Sequence, residues 1–530
     1  MMKKSKPLFC LVLLVCAVFA VCLCADAVTD SGSCGTGVHW SFDAETGILE
    51  ISGAGAMVDY ATDTDVPWHG RIEDVQAVHI GDGVTNIGDL AFFGCEQLTE
   101  VAIAGSVTRI GDHAFAYCPI GAVILPDALE SIGEEAFFNC WALASVEIPA
   151  SVKSIGDYAF TYCFALQEFL VHDANAAYAS DAGGVLFNKA KTVLLQYPTG
   201  SAAETYSVPD GVRVIRWSAF EACGQLTSVS VPASVISIGT FAFADCGSLQ
   251  EIAVDDGNTK YCSEDGVLFN ADMTKLIVYP AGKAQETYRI PDTVTDIALF
   301  AFSDCTALTS VEVPASAAYI GEGAFYACAS IEEIAVDGGN ANYYSDDSVL
   351  LDADTAELIA YPIGNPQDAY TTPADAESIG ACAFEGCSSL TSVTIADGTL
   401  RIGEYAFAAC DALTSVEIPD SVTRIGEGAF DGCPEELIVY GYTGSCAEVA
   451  AKNYGFTFIS LGESAQKNLG DVDGDGEITV LDAVAVLQYC ADMAPETFME
   501  NAADTDRDGS IGVRDAVRIL EYCADLIQEF

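Results

Sequence analysis

A unit of 23 residues recurs through the middle of the 530-residue chain and constrains its fold more than any other feature. The unit reads L-x-x-V-x-I-P-x-S-V-x-x-I-G-x-x-A-F-x-x-C, with clear copies starting at Leu98, Leu143, Leu226, Leu308, Leu390 and Leu413. A longer form of 59–60 residues begins at Leu166, Leu249 and Ile331 and contains a hairpin-like insertion. A short and a long unit together recur every 82–83 residues, which indicates duplication of a larger block.

Each unit has the pattern of one coil of a solenoid. In the last copy, Leu413, Val416 and Ile418 alternate with polar residues, which is typical of a half-buried strand. Pro419 cannot donate to a strand ladder and therefore ends the strand. Gly426 is predicted to permit a tight bend. Because one coil cannot bury its own apolar face, the sequence predicts a repeat solenoid of stacked short strands and turns.

The charge balance limits the possible partners of such an array. The chain has 78 acidic against 21 basic residues, a net charge of −57, while 51% of its residues are hydrophobic. This apolar content is enough for a core and argues against a disordered acidic chain. A surface of this sign repels phosphate backbones and anionic lipids, so we expect no nucleic-acid partner.

The first 30 residues have the pattern of a secretory signal. Lysines at positions 3, 4 and 6 precede an apolar run at residues 8–24, and Ala25-Asp26-Ala27 resembles a cleavage site. A membrane anchor is the alternative, but the run is short and small residues follow it. No second apolar stretch approaches the length of a membrane span. We therefore expect a secreted, extracellular protein without a membrane span.

Cysteine recurs at one position of the coil. The chain has 21 cysteines, of which four lie in the signal segment and eleven occupy the last position of the repeat. The repeat cysteines are Cys95, Cys118, Cys140, Cys163, Cys223, Cys246, Cys305, Cys328, Cys387, Cys410 and Cys433. A small residue at a fixed coil position suits a buried ladder, so we expect free thiols, with disulfides as the alternative. No C-x-x-C pair supports a zinc site.

Two acidic loops of twelve residues follow the repeats. Their carboxylates stand at positions 1, 3 and 5, glycine at 6 allows a sharp turn, and position 12 returns a carboxylate from the start of a helix. An oxygen-only cage of this kind suits a calcium ion, so the sequence predicts two calcium sites. The candidate ligands are Asp471, Asp473, Asp475, Glu477, Thr479 and Asp482 in the first loop, and Asp504, Asp506, Asp508, Ser510 and Asp515 in the second.

The repeats resemble the BspA-type leucine-rich repeats of bacterial surface and secreted proteins. Residues 35–95 resemble the N-terminal module of that family, and residues 437–461 resemble its C-terminal cap. The resemblance implies adhesion, or binding of a protein or glycan ligand of unknown identity. The outward strand positions form either a solvated face or a recognition surface, and they include Ser145, Glu147, Ser310, Glu312, Ser415 and Glu417.

The C-terminal segment resembles a type I dockerin, a small all-α calcium-binding domain. Each loop precedes one helix, expected at 482–492 and 515–525, no helical pattern precedes the first loop, and position 12 is Asp. The resemblance covers residues 469–526 and implies calcium-dependent docking onto a cohesin module of a cellulosome-type scaffold, hence a role in polysaccharide catabolism. It also implies partner contacts at Val480, Leu481, Leu487, Gln488, Val513, Arg514, Leu520 and Glu521. Arg514 occupies the position in the second half that Leu481 occupies in the first, so the two halves are not fully symmetric. Cys490 and Cys523, at equivalent helix positions, are expected to pack in the core, with a disulfide bridge as the alternative.

These patterns divide the chain into six segments. They are a signal peptide (1–27), an N-terminal cap module (28–97), leucine-rich repeats (98–436), a repeat cap (437–461), a linker (462–468) and a dockerin (469–530).

No catalytic signature emerges from the sequence. The five histidines lack metal spacing, and no nucleophile or metalloprotease motif occurs. Carboxylates are plentiful enough for a glycosidase pair, but repeats and caps account for nearly all of residues 34–461. The sequence therefore predicts a secreted, non-catalytic repeat protein that docks through a dockerin. The alternatives are a free or cell-surface adhesin and a carbohydrate-active enzyme component.

Overall fold

The structure is a computed structural model that describes residues 30–464, 472, 478–491, 493, 503, 505 and 511–524. It divides into two compact units, Met1–Ser180 and Asp181–Phe530. Both contain stacked coils of short strands and turns, which confirms the predicted repeat solenoid.

The first unit contains fourteen described strands and two short 3₁₀ helices, Asp63–Asp65 and His69–Asp74. The strands are β1 (Asp30–Gly35), β2 (Val38–Asp43), β3 (Ile48–Gly53), β4 (Gly55–Ala56), β5 (Ala77–Ile80), β6 (Val84–Ile87), β7 (Glu100–Ile103), β8 (Arg109–Ile110), β9 (Ala122–Val123), β10 (Ser131–Ile132), β11 (Ser145–Ile148), β12 (Ser154–Ile155), β13 (Glu168–Val171) and β14 (Tyr178–Ser180). One sheet has the order β1-β2-β3-β5-β7-β9, and a second has the order β12-β10-β8-β6-β4. From β3 to β10 the strands alternate between these two sheets, and β11 pairs with β13 in a separate two-stranded sheet.

A column of aromatic rings forms the centre of the first unit. Trp68 stacks on Phe92, and the column continues through the Phe of each A-F pair at 5.2–5.4 Å between ring centroids. These rings are almost completely buried. Trp40 packs edge-on against Trp68, and both belong to the core of the N-terminal module. Burying one such side chain stabilises the fold by roughly 1.5–3 kcal/mol.

Among the described residues, the second unit contains the remaining strands and three helices of known bounds. Its strands are β15 (Leu186–Asn188), β16 (Val193–Gln196), β17 (Thr205–Ser207), β18 (Val214–Ile215), β19 (Ser228–Val231), β20 (Ser237–Ile238), β21 (Glu251–Val254), β22 (Tyr261–Glu264), β23 (Val267–Asn270), β24 (Lys275–Val278), β25 (Thr287–Arg289), β26 (Asp296–Ile297), β27 (Ser310–Val313), β28 (Tyr319–Ile320), β29 (Glu333–Val336), β30 (Tyr343–Asp346), β31 (Val349–Asp352), β32 (Glu357–Ala360), β33 (Ala369–Thr371), β34 (Ser378–Ile379), β35 (Ser392–Thr394), β36 (Arg401–Ile402), β37 (Ser415–Glu417), β38 (Arg424–Ile425), β39 (Ile438–Thr443) and β40 (Thr457–Glu463). Its helices are α1 (Cys446–Tyr454), α2 (Val480–Cys490) and α3 (Val513–Cys523).

In most coils a second, shorter strand follows the first, and these second strands form parallel sheets of their own. The long units interrupt those sheets. β22 and β23 form the antiparallel hairpin that the sequence indicated, β24 pairs with β23, and β24 then continues the parallel stack to β26 and β28. β20 ends the preceding parallel run, β16-β18-β20. The next long unit repeats this arrangement with β30, β31 and β32, followed by β34.

The glycine of each I-G pair allows adjacent coils to approach closely. A Cβ on Gly426 would lie 2.5 Å from the amide nitrogen of Glu404, and a Cβ on Gly156 would lie 2.3 Å from that of Glu134. Neither glycine has a φ in the left-handed region. A turn does begin at Gly426, whose carbonyl accepts a hydrogen bond from the amide of Ala429 at 3.3 Å, but glycine is required there because contact with the neighbouring coil excludes a side chain.

The repeat cysteines form a buried ladder, as predicted. Every cysteine that the structure describes is a free thiol, and the repeat cysteines are buried except for Cys433, which is partly exposed. The thiol of Cys140 donates to the carbonyl of Phe115 at 3.2 Å, and that of Cys163 donates to the carbonyl of Phe137 at 3.2 Å. Each of these two thiols thus links its coil to the preceding one.

The last coil is covered by a strand–helix–strand segment. β39 pairs with β37, β40 pairs with β39, and α1 connects β39 to β40. Ala447 and Ala451 of α1 are buried in the same cluster as Val416 and Ile418 of the last repeat. The apolar end of the stack is thereby shielded from water.

Candidate docking module and repeat surface

Helices α2 and α3 pack against each other around a small apolar cluster. Ala483 and Val486 of α2 and Ala516 and Ile519 of α3 are buried there, and Ile478 and Ile511 pack beside them. The two helices start two residues earlier than the sequence suggested. For α2 the reason is that Thr479 is the N-cap residue, and its hydroxyl accepts a hydrogen bond from the amide of Leu481 at 3.1 Å.

The Asp at position 12 of each loop ties the loop to the start of its helix. Asp482 is fully buried, and its carboxylate accepts hydrogen bonds from the amides of Thr479 at 2.8 Å and Val472 at 2.7 Å. Val472 is the second loop residue, so this carboxylate joins the two ends of the loop.

The second loop has the same arrangement. Asp515 is 1% exposed and accepts from the amide of Gly512 at 2.7 Å and from the hydroxyl of Thr505, the second loop residue, at 3.3 Å. A buried carboxylate is costly unless positive charge compensates it. The closed loops and their buried acidic oxygens therefore fit a cation of calcium type.

Most of the predicted metal ligands lie outside the described residues. Only Thr479, Asp482 and Asp515 are described, whereas Asp471, Asp473, Asp475, Glu477, Asp504, Asp506, Asp508 and Ser510 are not. Within the described ranges alone, no group of three or more His, Cys, Asp or Glu is placed to hold a metal ion.

The predicted partner-contact residues lie on the outer surfaces of the two helices. Val480, Leu481 and Leu487 of α2 are exposed, and Gln488 is half-buried. In α3, Val513, Arg514 and Leu520 are exposed and Glu521 is half-buried.

Two apolar residues of this surface were missed in the sequence. Val484 and Val517 are 41% and 46% exposed. Val484 lies one helical turn from both Leu481 and Leu487, and Val517 lies one turn from Leu520. The helical spacing alone could have identified both.

The expectation that Cys490 and Cys523 pack in the core is wrong. Both are exposed. The Cys490 sulfur lies 3.8 Å from the carbonyl oxygen of Ile511, and the Cys523 sulfur lies 3.7 Å from that of Ile478. They lie at the last residue of α2 and α3, where each helix leaves the shared cluster.

Along the repeats, the outward strand positions are polar. Parallel pairing aligns each of them with the same position of the neighbouring coil. Ser145 lies opposite Glu168, and Ser310 lies opposite Glu333, in the neighbouring coil. The Ser310 hydroxyl donates to the Glu333 carboxylate at 3.3 Å. Trp141 and Trp217 are exposed but lie outside these strands.

Comparison with known families accounts for both parts of the chain. The BspA-type leucine-rich repeat region matches residues 71–182, 199–275, 281–348 and 367–440 in six copies, which together exceed half of the chain. The chain belongs to the BspA-type leucine-rich-repeat family. A type I dockerin domain matches residues 469–522, so this BspA-type repeat protein carries a dockerin at α2 and α3.

Similar solved structures are also leucine-rich-repeat proteins. One, from Eubacterium ventriosum, is 23% identical with a TM-score of 0.42, over 77% of this chain and 95% of that chain. A leucine-rich cell surface protein from Faecalibacterium prausnitzii is 25% identical with a TM-score of 0.37, over 80% and 97% respectively. None of the curated proteins compared with this chain matches it. The family assignment rests on the repeat match.

None of the helices that the structure describes combines the length and the apolarity needed to cross a membrane.

Proposed function

We propose that this BspA-type repeat protein is a secreted, non-catalytic binding component that docks, through its calcium-loaded dockerin, onto a cohesin of a cellulosome-type scaffold. The observation that carries the proposal is the type I dockerin match at residues 469–522, joined to an array without a further matched domain. The dockerin supplies the attachment, and the repeats supply the surface that is brought to the scaffold.

Calcium has a defined part in this proposal. Two ions bound by the carboxylates of the loops would neutralise the buried charges of Asp482 and Asp515 and hold each loop against its helix. The proposed ligands are those of the acidic loops, with Asp471 and Asp504 at the first positions. Since the apolar cluster between α2 and α3 is small, we expect the module to fold only with the metal.

The cohesin would bind the exposed faces of the helices. Leu481, Val484 and Leu487 form an apolar stripe on α2, and Val517 and Leu520 continue the corresponding stripe on α3. A row of exposed apolar side chains at helical spacing suits docking into a complementary groove or sheet face. Arg514 stands where the other half has Leu481, so the two faces would not bind with equal affinity.

The repeat array would act as the ligand-binding part of the protein. Its extended surface is largely polar and acidic, and it contains no separate catalytic domain among the matched families. The array is therefore proposed to bind a protein or glycan, with no chemistry of its own.

Binding of the full-length chain to a panel of recombinant type I cohesins tests the docking proposal. We expect at least one cohesin to bind with calcium and to lose binding when a chelator is added. The double variant Asp471→Ala and Asp504→Ala should lose binding as well, whereas Glu417→Gln on the array should bind as wild type. Binding that persists in chelator would contradict calcium-dependent docking, and binding to none of the cohesins would favour a free adhesin.

A further inference from the structure

A groove opens beside the second long unit, where the sheet of second strands is interrupted. It lies between β20 and the β24-β26-β28 run and has a volume of about 480 Å³. The residues that carry the argument are Ile236, Phe241, Lys260, Lys275, Leu299 and Tyr319. A concave site of this size, apolar with a few polar groups, is typical of a ligand site.

The groove exposes large apolar side chains that the fold leaves uncovered. Ile236, Phe241, Leu299 and Tyr319 are between 38% and 50% exposed, although the array buries most of its other large apolar residues. The Phe241 ring contacts the ring of Phe300 at 5.0 Å between centroids, which fixes one wall. A clustered apolar patch in a groove marks an interaction site more often than scattered exposed residues do.

The groove is also basic, in a chain that is strongly acidic. Lys260 and Lys275 line it, and within the described part of the chain neither forms an ion pair. Asp296 on β26 is the register partner of Lys275 on β24. Its carboxylate, however, accepts a hydrogen bond from the Thr295 hydroxyl at 2.8 Å. With 78 acidic residues available, two unpaired ammonium groups in one groove indicate an anionic ligand group.

The third long unit provides an internal comparison. Eighty-two residues further along, the positions of the six groove residues are taken by Ala318, Gly323, Asn342, Glu357, Ala381 and Arg401. The groove there has a volume of only about 20 Å³. The pairing of Glu357 with Ser378 matches the pairing of Lys275 with Asp296, so the backbone is conserved between the two units while the side chains are not. The apolar and basic residues of the second groove are therefore not needed for the fold.

The edges of the groove determine how a ligand can bind. The amide of Ile238 on β20 already donates to the Tyr261 hydroxyl at 2.9 Å, and β24 is paired on both sides. A peptide therefore cannot pair with these edges as a further strand, and the groove must recognise it through side chains. The aliphatic side chains of Ile236 and Leu299, beside the rings of Phe241 and Tyr319, accept large apolar side chains of a peptide.

We infer that this groove binds a peptide segment of a partner protein in which large apolar side chains stand next to carboxylates. The apolar side chains would fill the space between Phe241 and Leu299, and the carboxylates would pair with Lys260 and Lys275. The inference rests on the proposed role of the array as the ligand-binding part. It does not depend on calcium or on a cohesin.

Selection from a displayed random dodecapeptide library against the full-length chain tests the inference. The counter-selection target is the double variant Lys275→Glu and Leu299→Ala, which places in the groove the residues that Glu357 and Ala381 provide in the third unit. We expect the selected peptides to combine Asp or Glu with Leu, Phe or Trp. Synthetic copies should bind wild type at least about tenfold more tightly than the variant, as expected for loss of one good ion pair and one apolar contact.

Control variants separate binding in the groove from a general effect of charge or of misfolding. Lys452→Glu makes the same charge change on α1 and should leave peptide binding unchanged, and thermal unfolding checks that each variant is folded. The single variant Lys260→Asn keeps the assay informative if the double variant fails to fold. Neutral or basic selected peptides, equal binding to the variant, no enrichment, or competition by oligogalacturonate but not by acidic peptide would each overturn the inference. Chelator should abolish cohesin binding and spare peptide binding, so the two proposals fail separately.

Discussion

The Tyr261 hydroxyl accepts a hydrogen bond from the backbone amide of Ile238 at 2.9 Å, and this contact closes the edge of the sheet that ends at β20. The same contact occurs in the other long units. Tyr178 accepts from Ile155 at 2.8 Å, and Tyr343 accepts from Ile320 at 3.0 Å. An open strand edge is a site for unwanted pairing with other chains. A side chain thus replaces the missing neighbouring strand.

Tyr261→Phe should destabilise the second unit by about 1–3 kcal/mol, because the Ile238 amide loses its acceptor at a partly buried edge. Urea unfolding at constant pH measures the change. Tyr405→Phe, on an exposed side chain of the same unit, is the matched control and should change stability by less than about 0.5 kcal/mol. Equal stability of the two variants would show that the hydroxyl contact contributes nothing.

Gly156→Ala should destabilise the first unit by about 1–3 kcal/mol, because the added Cβ would meet the backbone of Glu134 in the neighbouring coil. Gly105→Ala is the control, since nothing lies within 4 Å of a Cβ there. We expect it to be neutral or slightly stabilising. Thermal unfolding of the two variants distinguishes a packing requirement from a general cost of replacing glycine.

The buried thiols predict a loss of stability at alkaline pH. Burial raises the pKa of Cys163 and of Cys246 from 9.0 to about 12 in each case. Because the folded-state pKa is raised, the thiols contribute full stability below pH 9. This contribution falls as the pH rises from about 9 towards 12, where the unfolded chain ionises first. Stability that stays constant from pH 8 to 11 in urea titrations would contradict this.

Thiol labelling should follow burial. Iodoacetamide applied to the native protein at neutral pH should modify Cys490 and Cys523 first, because both are exposed. The buried repeat thiols, which are all of the repeat cysteines except Cys433, should react only after unfolding in denaturant. Peptide mass mapping before and after unfolding identifies the modified positions. Rapid native labelling of Cys140 or Cys163 would show that the ladder opens in solution.

Removal of calcium should unfold α2 and α3 while leaving the repeats intact. Asp482→Ala should weaken calcium binding to the first loop by at least about tenfold, since it removes a proposed ligand and leaves the Val472 and Thr479 amides without their acceptor. Calorimetric titration measures the affinity, and circular dichroism measures the helix content. Glu417→Gln, a carboxylate on the array, is the control. An unchanged calcium affinity of the Asp482→Ala variant would show that Asp482 is not a calcium ligand.

Local patterns account for what could be predicted at the level of one coil or one helix. The alternation around Val416 indicates a strand, and the recurring cysteine indicates a buried ladder. The twelve-residue spacing to Asp482 indicates a loop joined to a helix. In each case the residues that interact are close in sequence, or the same position recurs in every coil.

The sequence did not reveal contacts between coils or between helices. It indicates a turn at Gly426, but the neighbours of Gly426 in the sequence cannot reveal the backbone of Glu404 in the preceding coil, which excludes a side chain there. It suggests a core position for Cys490 because helical spacing does not reveal where a helix leaves its partner. Val484 was missed even though its spacing to Leu481 was visible.

The 23-residue repeat by itself determined that this chain stacks into an array, because no single coil can bury its own apolar face. The acidic loops likewise identified a module of the type I dockerin family, which the family comparison shows at residues 469–522. Only the tertiary structure decided where the stack is interrupted, since that depends on how the inserted hairpin meets the edge of β20. It also decided that Lys260, Lys275 and Leu299, far apart in the repeat pattern, line one groove. The repeated residues specify the fold of one coil. The role of the residues that differ between coils depends on how the coils pack together.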